Sequence, residues 1–110
     1  MKIINETKKI TIAQEVITPE SLLDQSLGLL KYKKPHAMLL KTHFGIHTFG
    51  MKYAIDVLIL DSQNKVITVK KNLQPNNIFL WNPKYETVLE LPAGTLSKTK
   101  TEKGNIIKFL

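Results

Sequence analysis

The feature that most constrains the fold is a pair of apolar runs joined by a short polar segment. Residues 53–60 are apolar apart from Asp56, and residues 66–69 form a second, largely β-branched run. Between them lies the polar sequence DSQNK at residues 61–65. Two such runs around turn-forming residues are typical of a β-hairpin. The chain is therefore predicted to contain an antiparallel sheet, with residues 53–60 as its strongest strand.

Further short segments carry strand signals. Residues 9–13 alternate polar and apolar side chains, which is the pattern of a half-buried strand. Other apolar segments are bounded by Pro, Gly or Asn, which favour turns. These segments are 37–40, 87–91 and 106–109, together with 78–81, which is interpreted either as a strand or as a loop that covers the core.

The helical signal is confined to short stretches. Thr18 and Pro19 suit the cap and first position of a helix, and leucines on one face extend the pattern to about residue 31. Residues 95–99 could form one helical turn. About six strands and one short N-terminal helix predict a mainly β fold, either a single-domain β-sandwich or an open barrel.

The composition limits the size and the chemistry. A chain of 110 residues has room for one ordinary core, so residues 1–110 are expected to form one domain. The absence of Cys excludes disulfides, zinc fingers, iron–sulfur clusters and thiol catalysis. No segment resembles a signal peptide or a membrane span, so a cytoplasmic location is expected, although a signal removed earlier would not be detected.

The charge is strongly positive but carried by one residue type. The formal net charge is +7, and all 16 basic residues are Lys. Arg is the residue suited to bidentate recognition of phosphate and guanine, so its absence argues against a base-reading surface. Solvated surface lysines are the favoured interpretation. A basic nucleic-acid-associated β protein is kept as an alternative, because aromatics interleave with lysines near Trp81.

Four landmarks carry a resemblance to a known family. They are GLL at residues 28–30, IHTFGM at 46–51 leading into IDVL at 55–58, VLELPAG at 88–94, and Gly104. In this order and spacing they resemble domain-of-unknown-function family 192, over about residues 27–110. The resemblance implies a small, mainly β, sandwich-like domain. It implies no activity and no cofactor. Ala54 departs from the usual Pro, and Asn105 departs from a frequent Asp, which removes a carboxylate.

Polar residues are concentrated where the strongest strand begins. A His, a Thr and an Asp near a buried strand must be either hydrogen-bonded or used in function. We therefore predict a ligand groove edged by four residues, with two further residues as possible walls. The edge residues are His47, Thr48, Lys52 and Asp56, and the walls are Trp81 and Glu90.

Each candidate also has a structural interpretation. His47 could fix its loop by a hydrogen bond, and Asp56 could accept backbone N–H groups or pair with Lys52 or His47. Glu90 alternates with two leucines, so it should face the other side of the sheet from them, towards solvent or a polar cluster shared with Asp56. His43 and His47 have a helical metal-ligand spacing, but Gly45 between them argues against a helix, and no metal site is predicted.

The favoured hypothesis is a non-enzymatic binding or accessory module for an unidentified small molecule or protein. An enzyme that uses His47 and Asp56 as an acid–base pair is the second hypothesis, and it requires the two side chains to come within hydrogen-bond reach. Nucleic-acid association is the third. No cofactor and no membrane partner are implied, and the sequence does not define the oligomeric state.

Overall fold

The structure, a computed structural model, describes residues 1–18 and 36–110. In this part of the chain nine strands form three antiparallel sheets, and there is one short helix. The strands are β1 (Ile3–Asn5), β2 (Ile10–Ala13), β3 (Met38–Lys41), β4 (Ile46–His47), β5 (Ile55–Leu60), β6 (Val66–Leu73), β7 (Ile78–Phe79), β8 (Thr87–Pro92) and β9 (Ile107–Phe109). The helix, α1, is Thr95–Lys98.

The largest sheet has four strands in the order β3-β8-β5-β6. Every residue of the inner strand β5 is buried, as is β8 apart from its last residue. These two strands pair so that Asp56 lies opposite Leu91 and Val57 lies opposite Glu90. Because paired residues share a face and neighbours alternate, Asp56 and Glu90 are on opposite faces of this sheet.

One face of the four-stranded sheet packs against the three-stranded sheet β2-β1-β9. Apolar residues from both sheets and from α1 form a common cluster, here called the first core. Its buried members are Ile3, Ile12, Ala37, Leu58, Leu60, Val66, Leu89, Leu91, Leu96 and Ile107. Two open sheets with a shared apolar layer make a β-sandwich.

The other face of the four-stranded sheet has its own apolar cluster, the second core. Its buried members are Met38, Leu40, Ile55, Val57, Ile59, Leu73 and Val88. Half-buried side chains from β4, β7 and the neighbouring loops pack against it, including Tyr53 and Trp81. The two-stranded sheet β4–β7 is therefore attached to the sandwich through the second core.

The mainly β prediction is confirmed, and the sheets are open rather than closed into a barrel. The predicted hairpin is β5–β6, but β6 continues to Leu73, beyond the run that was predicted at residues 66–69. It continues because Leu73 pairs with Ile55 and is buried in the second core. The predicted helical turn at 95–99 is confirmed as α1, and the predicted helix from Thr18 to about residue 31 falls almost entirely outside the described residues.

The strands exceed the predicted six because β1, β4 and β7 are short and lack a clear pattern of their own. β4 and β7 have two residues each and β1 has three, too few for an alternating pattern to be recognised in sequence. Within residues 1–18 and 36–110, no helix has the length and apolar character that crossing a bilayer requires.

Candidate functional site

Asp56 is buried on the first-core face and bound to two other elements. Its side chain is 1% exposed. Oδ1 accepts a hydrogen bond from the backbone N–H of Asn72 and Oδ2 accepts one from Leu96, each at 2.9 Å. Gly94 caps α1 and has no side chain to offer, so Asp56 supplies the acceptor that the helix needs. This arrangement joins β5, β6 and α1.

Thr48 is buried and ties its loop to a second loop. Its hydroxyl donates to the carbonyl of Gln74 at 2.6 Å and accepts from the N–H of Asn77 at 2.9 Å. Its backbone N–H donates to the Asn77 carbonyl, and its carbonyl accepts from Asn76, both at 2.9 Å. All of these bonds are made within the fold, so Thr48 positions the loop that follows β4.

His47 lies on the exposed side of the β4–β7 sheet. Ile46 and Phe79 pair and pack towards the second core, which places the next pair, His47 and Ile78, on the opposite side. The Phe49 ring stacks on the His47 ring with the centroids 5.1 Å apart, and the backbone N–H of Phe49 donates to His47 Nδ1 at 3.2 Å. The imidazole is thus held in a fixed orientation at the surface.

Leu80 extends the same exposed side. A Cβ at Gly45 would lie 2.5 Å from Leu80 Cδ2 and 2.9 Å from the Phe79 carbonyl oxygen, so the Leu80 side chain lies directly over Gly45. Gly45 also has a φ of +88°, which favours glycine. We call the side formed by His47, Phe49, Ile78 and Leu80 the outer face. Its apolar side chains, Phe49, Ile78 and Leu80, are 48%, 60% and 68% exposed, respectively.

The two segments that form the outer face contain only positive charges. Residues 43–54 and 74–85 include no Asp or Glu. They contain Lys52 and Lys84, both exposed, as well as His43 and His47. The segments that carry the outer face therefore have no acidic residue of their own, and the nearby Glu86 is paired with His43 at 3.1 Å.

Glu90 is buried in the second core. It lies on β8 between Met38 and Val57, and it is 6% exposed. Burial raises the pKa of its carboxyl to about 7, because the charged form loses its hydration. The pKa of Tyr53 is also raised, mainly by burial and then by the charge of Glu90. Glu90 is therefore a titratable group within an apolar layer, and its charge also acts on Tyr53.

Trp81 belongs to the border of the second core. Its indole N–H donates to the carbonyl of Tyr85 at 2.8 Å, and its ring contacts Phe79 with the centroids 5.7 Å apart. The side chain is half-buried, whereas Lys52 is exposed.

The six residues of the predicted groove are not brought together. Asp56 faces the first core and Glu90 the second, so the four-stranded sheet separates them. In the described part of the chain, the side-chain hydrogen bonds of His47 and Asp56 go to backbone groups. Of the six, His47 and Lys52 are exposed and Thr48 is buried. His47 is the one that lies at the centre of a surface feature.

Two features were missed by the sequence-based reasoning. Ile78 and Leu80 were predicted to lie in a strand or in a loop that covers the core, so their exposure was missed. The Asn and Pro residues on either side of them could have indicated this exposure. The other feature is a polar cleft that includes His43. The His43 Nδ1 lies 2.7 Å from the Pro83 carbonyl oxygen, and its Nε2 lies 3.1 Å from Glu86 Oε2.

Asn105, at a position where the resemblance predicts a frequent Asp, is buried in a polar cluster of the sandwich. Its Oδ1 accepts from Asn5 Nδ2 at 2.9 Å and from the N–H of Glu102 at 3.0 Å. Asn5 also donates to Thr101 Oγ1. The amide oxygen of Asn105 accepts both hydrogen bonds, so this side chain links β1 to the segment before β9.

Three similar proteins have descriptions that assign no activity. The chain is 32% identical to the UPF0127 protein of Pyrococcus horikoshii, over 97% of each chain. It is 29% identical to the corresponding protein of Pyrococcus abyssi, over 98% of this chain and 97% of that one. A crystal structure of a protein of unknown function from Novosphingobium aromaticivorans has the same fold, with a TM-score of 0.81 at 12% identity, covering 99% and 84% of the two chains.

The family match is broader than the four landmarks alone suggested. It covers residues 3–109, whereas the resemblance was placed at about residues 27–110. It thus includes the three-stranded sheet and the polar cluster around Asn105 as well as the two central strands. The chain belongs to the DUF192 family, which is described as uncharacterised.

Proposed function

We propose that this chain is a non-catalytic binding module and that the outer face is its contact surface. We propose further that its partner is a protein segment in which acidic groups surround large apolar side chains. The observation that carries the proposal is the exposure of Phe49, Ile78 and Leu80 together around His47.

The apolar part of the outer face supports a docking role. Large apolar side chains exposed singly are common, but a contiguous group is typical of an interaction site. The stack of Phe49 on His47 and the contact of Leu80 with Gly45 fix these side chains before any partner arrives. A fixed surface loses little conformational entropy on binding.

The charge around the outer face supports an acidic partner. No Asp or Glu lies in residues 43–54 or 74–85, while Lys52 and Lys84 are exposed there. Complementary charge steers association and excludes wrong partners. A second copy of the chain is disfavoured, because each copy has a net charge of +7 and like charges repel.

The remaining groove residues have other roles in this proposal. The hydrogen bonds of Thr48 hold the loop that follows β4, so Thr48 is a positioning residue for the outer face. The hydrogen bonds of Asp56 join β5, β6 and α1, so Asp56 stabilises the sandwich. No observation in the described residues favours the acid–base pair or nucleic-acid hypotheses over docking.

The test is selection from a displayed peptide library against the purified chain, followed by affinity measurement with synthetic peptides. We expect the selected peptides to combine Asp or Glu with large apolar residues. The double variant Ile78→Ser/Leu80→Ser should weaken their binding at least about tenfold, because it removes most of the exposed apolar area. Lys52→Gln should slow association and reduce its salt dependence.

The matched control is Leu110→Ser, which also removes an exposed apolar side chain, here next to β9. It should leave peptide binding unchanged. Selection of no peptide, of peptides without acidic residues, or of peptides that bind the double variant equally well would contradict the proposal. So would binding to phosphatidylserine vesicles in preference to every selected peptide, since the outer face would then be a lipid-contacting surface.

A further inference from the structure

The loop that follows β4 has a hydrogen bond for each of its backbone N–H groups, those of residues 48–51. Three of these groups donate to oxygen atoms of the same loop or of residues 76 and 77. The remaining one, the N–H of Phe49, donates to His47 Nδ1 at 3.2 Å. The imidazole is therefore the acceptor that completes the hydrogen bonding of this loop.

The same hydrogen bond determines which ring nitrogen of His47 carries the proton. A nitrogen that accepts an N–H has no hydrogen of its own, so in the neutral imidazole the proton is on Nε2. In the described residues His47 makes this hydrogen bond and the stack with Phe49, and its Nε2 has no hydrogen-bond partner. An unpaired N–H donor therefore lies at the centre of the outer face.

The surroundings of the imidazole favour an uncharged acceptor. A partner that covers the outer face covers His47 together with the exposed side chains of Phe49, Ile78 and Leu80. Moving a carboxylate from water into such an apolar contact costs more free energy than moving a carbonyl oxygen, and the carbonyl gains a hydrogen bond from Nε2–H. The acidic groups of the partner are better placed outside this centre, where they keep their contact with water.

No charged side chain of the described residues forms a hydrogen bond or an ion pair with His47. The other titratable residues of segments 43–54 and 74–85 are His43, Lys52, Tyr53, Lys84 and Tyr85. His43 is paired with Glu86 at 3.1 Å, and Glu90 is buried in the second core, from which the outer face is directed away. Protonation of His47 would place a hydrogen on Nδ1 opposite the Phe49 N–H, so that hydrogen bond would be lost.

We propose that His47 fixes the position of a bound protein segment on the outer face, with its neutral imidazole donating Nε2–H to a main-chain carbonyl oxygen of that segment. This inference rests on the docking role proposed above and adds the atom that positions the partner. The apolar side chains of the partner contact Phe49, Ile78 and Leu80 around this hydrogen bond. Protonation of His47 breaks its bond with Phe49 and puts a charge into the contact, so the partner binds less tightly in mild acid.

The first measurement needs no partner. Long-range proton–nitrogen NMR of the full chain at about pH 8 reports which nitrogen of each imidazole carries the proton, and His47→Gln identifies the His47 signals. We expect the His47 proton on Nε2. We also expect the Phe49 amide signal to shift as His47 is protonated. A proton on Nδ1 at this pH would overturn the assignment, whether or not the outer face binds a protein.

The second measurement compares two substitutions of His47, using the synthetic peptide of highest affinity from the displayed library. Both substitutions remove the ring. His47→Gln places an amide N–H near the position of Nε2, whereas His47→Asn keeps an acceptor for the Phe49 N–H and has no donor at that distance. We expect His47→Asn to weaken peptide binding at least about tenfold and His47→Gln about threefold or less.

Single ester bonds in the peptide test the acceptor directly, because an ester carbonyl is a weaker hydrogen-bond acceptor than an amide carbonyl. At one position of the peptide, the ester should reduce the affinity for wild type several-fold more than the affinity for His47→Asn. If no position shows this difference, the partner of Nε2–H is not a main-chain carbonyl.

The third measurement is the pH dependence of the peptide affinity. From about pH 8 to about pH 5.5, wild type should lose at least about threefold in affinity, and His47→Gln should change less. His43→Gln removes another exposed histidine and should keep the pH dependence of wild type. Glu90, whose pKa is about 7, is present in all three proteins, so its contribution to the comparison cancels.

The outcomes separate this inference from the docking proposal. Equal peptide binding by His47→Asn and His47→Gln would overturn the inference alone, since the apolar side chains would still bind the peptide. An affinity that rises as the pH falls would mean that charged His47 binds a carboxylate of the peptide, which also contradicts the inference alone. If the selection gives no peptide, the docking proposal fails and this inference fails with it.

Discussion

Asp56 and Glu90 are buried carboxyl groups on neighbouring strands of one sheet, yet their surroundings differ completely. Asp56 faces the first core and accepts two backbone N–H groups, one from β6 and one from the first turn of α1. Glu90 faces the second core, where burial raises its pKa to about 7. The register that pairs Asp56 with Leu91 and Val57 with Glu90 separates them.

The difference shows that burial alone does not determine what a carboxyl group does for a fold. A buried acceptor with well-placed donors joins the elements that supply them. When loss of hydration dominates, the pKa of a buried carboxyl rises, and the stability of the fold then depends on pH near neutrality. Substitutions at four positions, taken from the largest expected effect to the smallest, test this contrast.

Asp56→Ala should lower the free energy of unfolding by about 4 kcal/mol, because the buried N–H of Leu96 and the partly buried N–H of Asn72 would lose their acceptor. Asp56→Asn keeps one good acceptor and should cost about half as much. Urea denaturation of both variants measures these changes. A loss below about 1 kcal/mol for Asp56→Ala would show that the two bonds are not important to stability.

Glu90 should make the protein less stable as the pH rises from about 4.5 to about 7. In this interval the unfolded chain has lost the proton, since its pKa is near 4.5, while the folded chain still holds it, since its pKa is about 7. Stability therefore falls with pH, by about 3 kcal/mol over the interval, and is constant above it. Glu90→Gln should remove this dependence and be the more stable protein at pH 8.

Denaturation of wild type and Glu90→Gln at pH 4 to 8 gives the comparison, because other titrating groups contribute equally to both proteins. The control is Glu86→Gln, at an exposed position. If wild type and Glu90→Gln show parallel curves, the Glu90 carboxyl is hydrated in the folded chain and the contrast with Asp56 fails.

Thr48→Val keeps the shape of the side chain and removes its hydroxyl. The Gln74 carbonyl would lose one of its two donors, the other being Asn77 Nδ2 at 3.2 Å, and the Asn77 N–H would lose its acceptor. We therefore expect a loss of about 2 kcal/mol. Hydrogen exchange at the Asn77 amide should become faster. Unchanged exchange would mean that another group holds the loop.

Glu86→Gln should have the smallest effect, at most about 0.5 kcal/mol, because its pair with His43 is largely exposed and screened by solvent. Thermal unfolding at low and high salt would measure it. A larger loss would mean that the Glu86–His43 pair stabilises the fold as the Asp56 hydrogen bonds do, although it is exposed.

The mainly β fold was predictable because its long strands carry their own signals. The apolar run of β5, the polar turn at 61–65 and the β-branched start of β6 each indicate the same hairpin. The end of β6 was missed since KKN at residues 70–72 is polar, and only the pairing of Leu73 with Ile55 reveals that the strand continues. β4 and β7 depend on their partners in space rather than on a local pattern.

The candidate site was less predictable because it depends on register. Alternation within β8 correctly placed Glu90 on the other face from Leu89 and Leu91. Whether Asp56 shares that face depends on how β8 aligns with β5, a strand far away in sequence, and a shift of one residue would reverse the answer. No sequence pattern indicated that the face of the sheet that carries Glu90 is covered by the second core.

The pairing of β1 with β9 has a consequence for how the domain can be connected to other chains. Lys2 and Leu110 exchange backbone hydrogen bonds at 2.8 Å in both directions, so residues 2 and 110 lie side by side. A domain with adjacent termini can be inserted into a loop of a host protein without separating the host's two loop ends. Its termini could equally be joined by a short linker and new ends opened at the exposed β5–β6 turn, which would give a circular permutant with the same sheets.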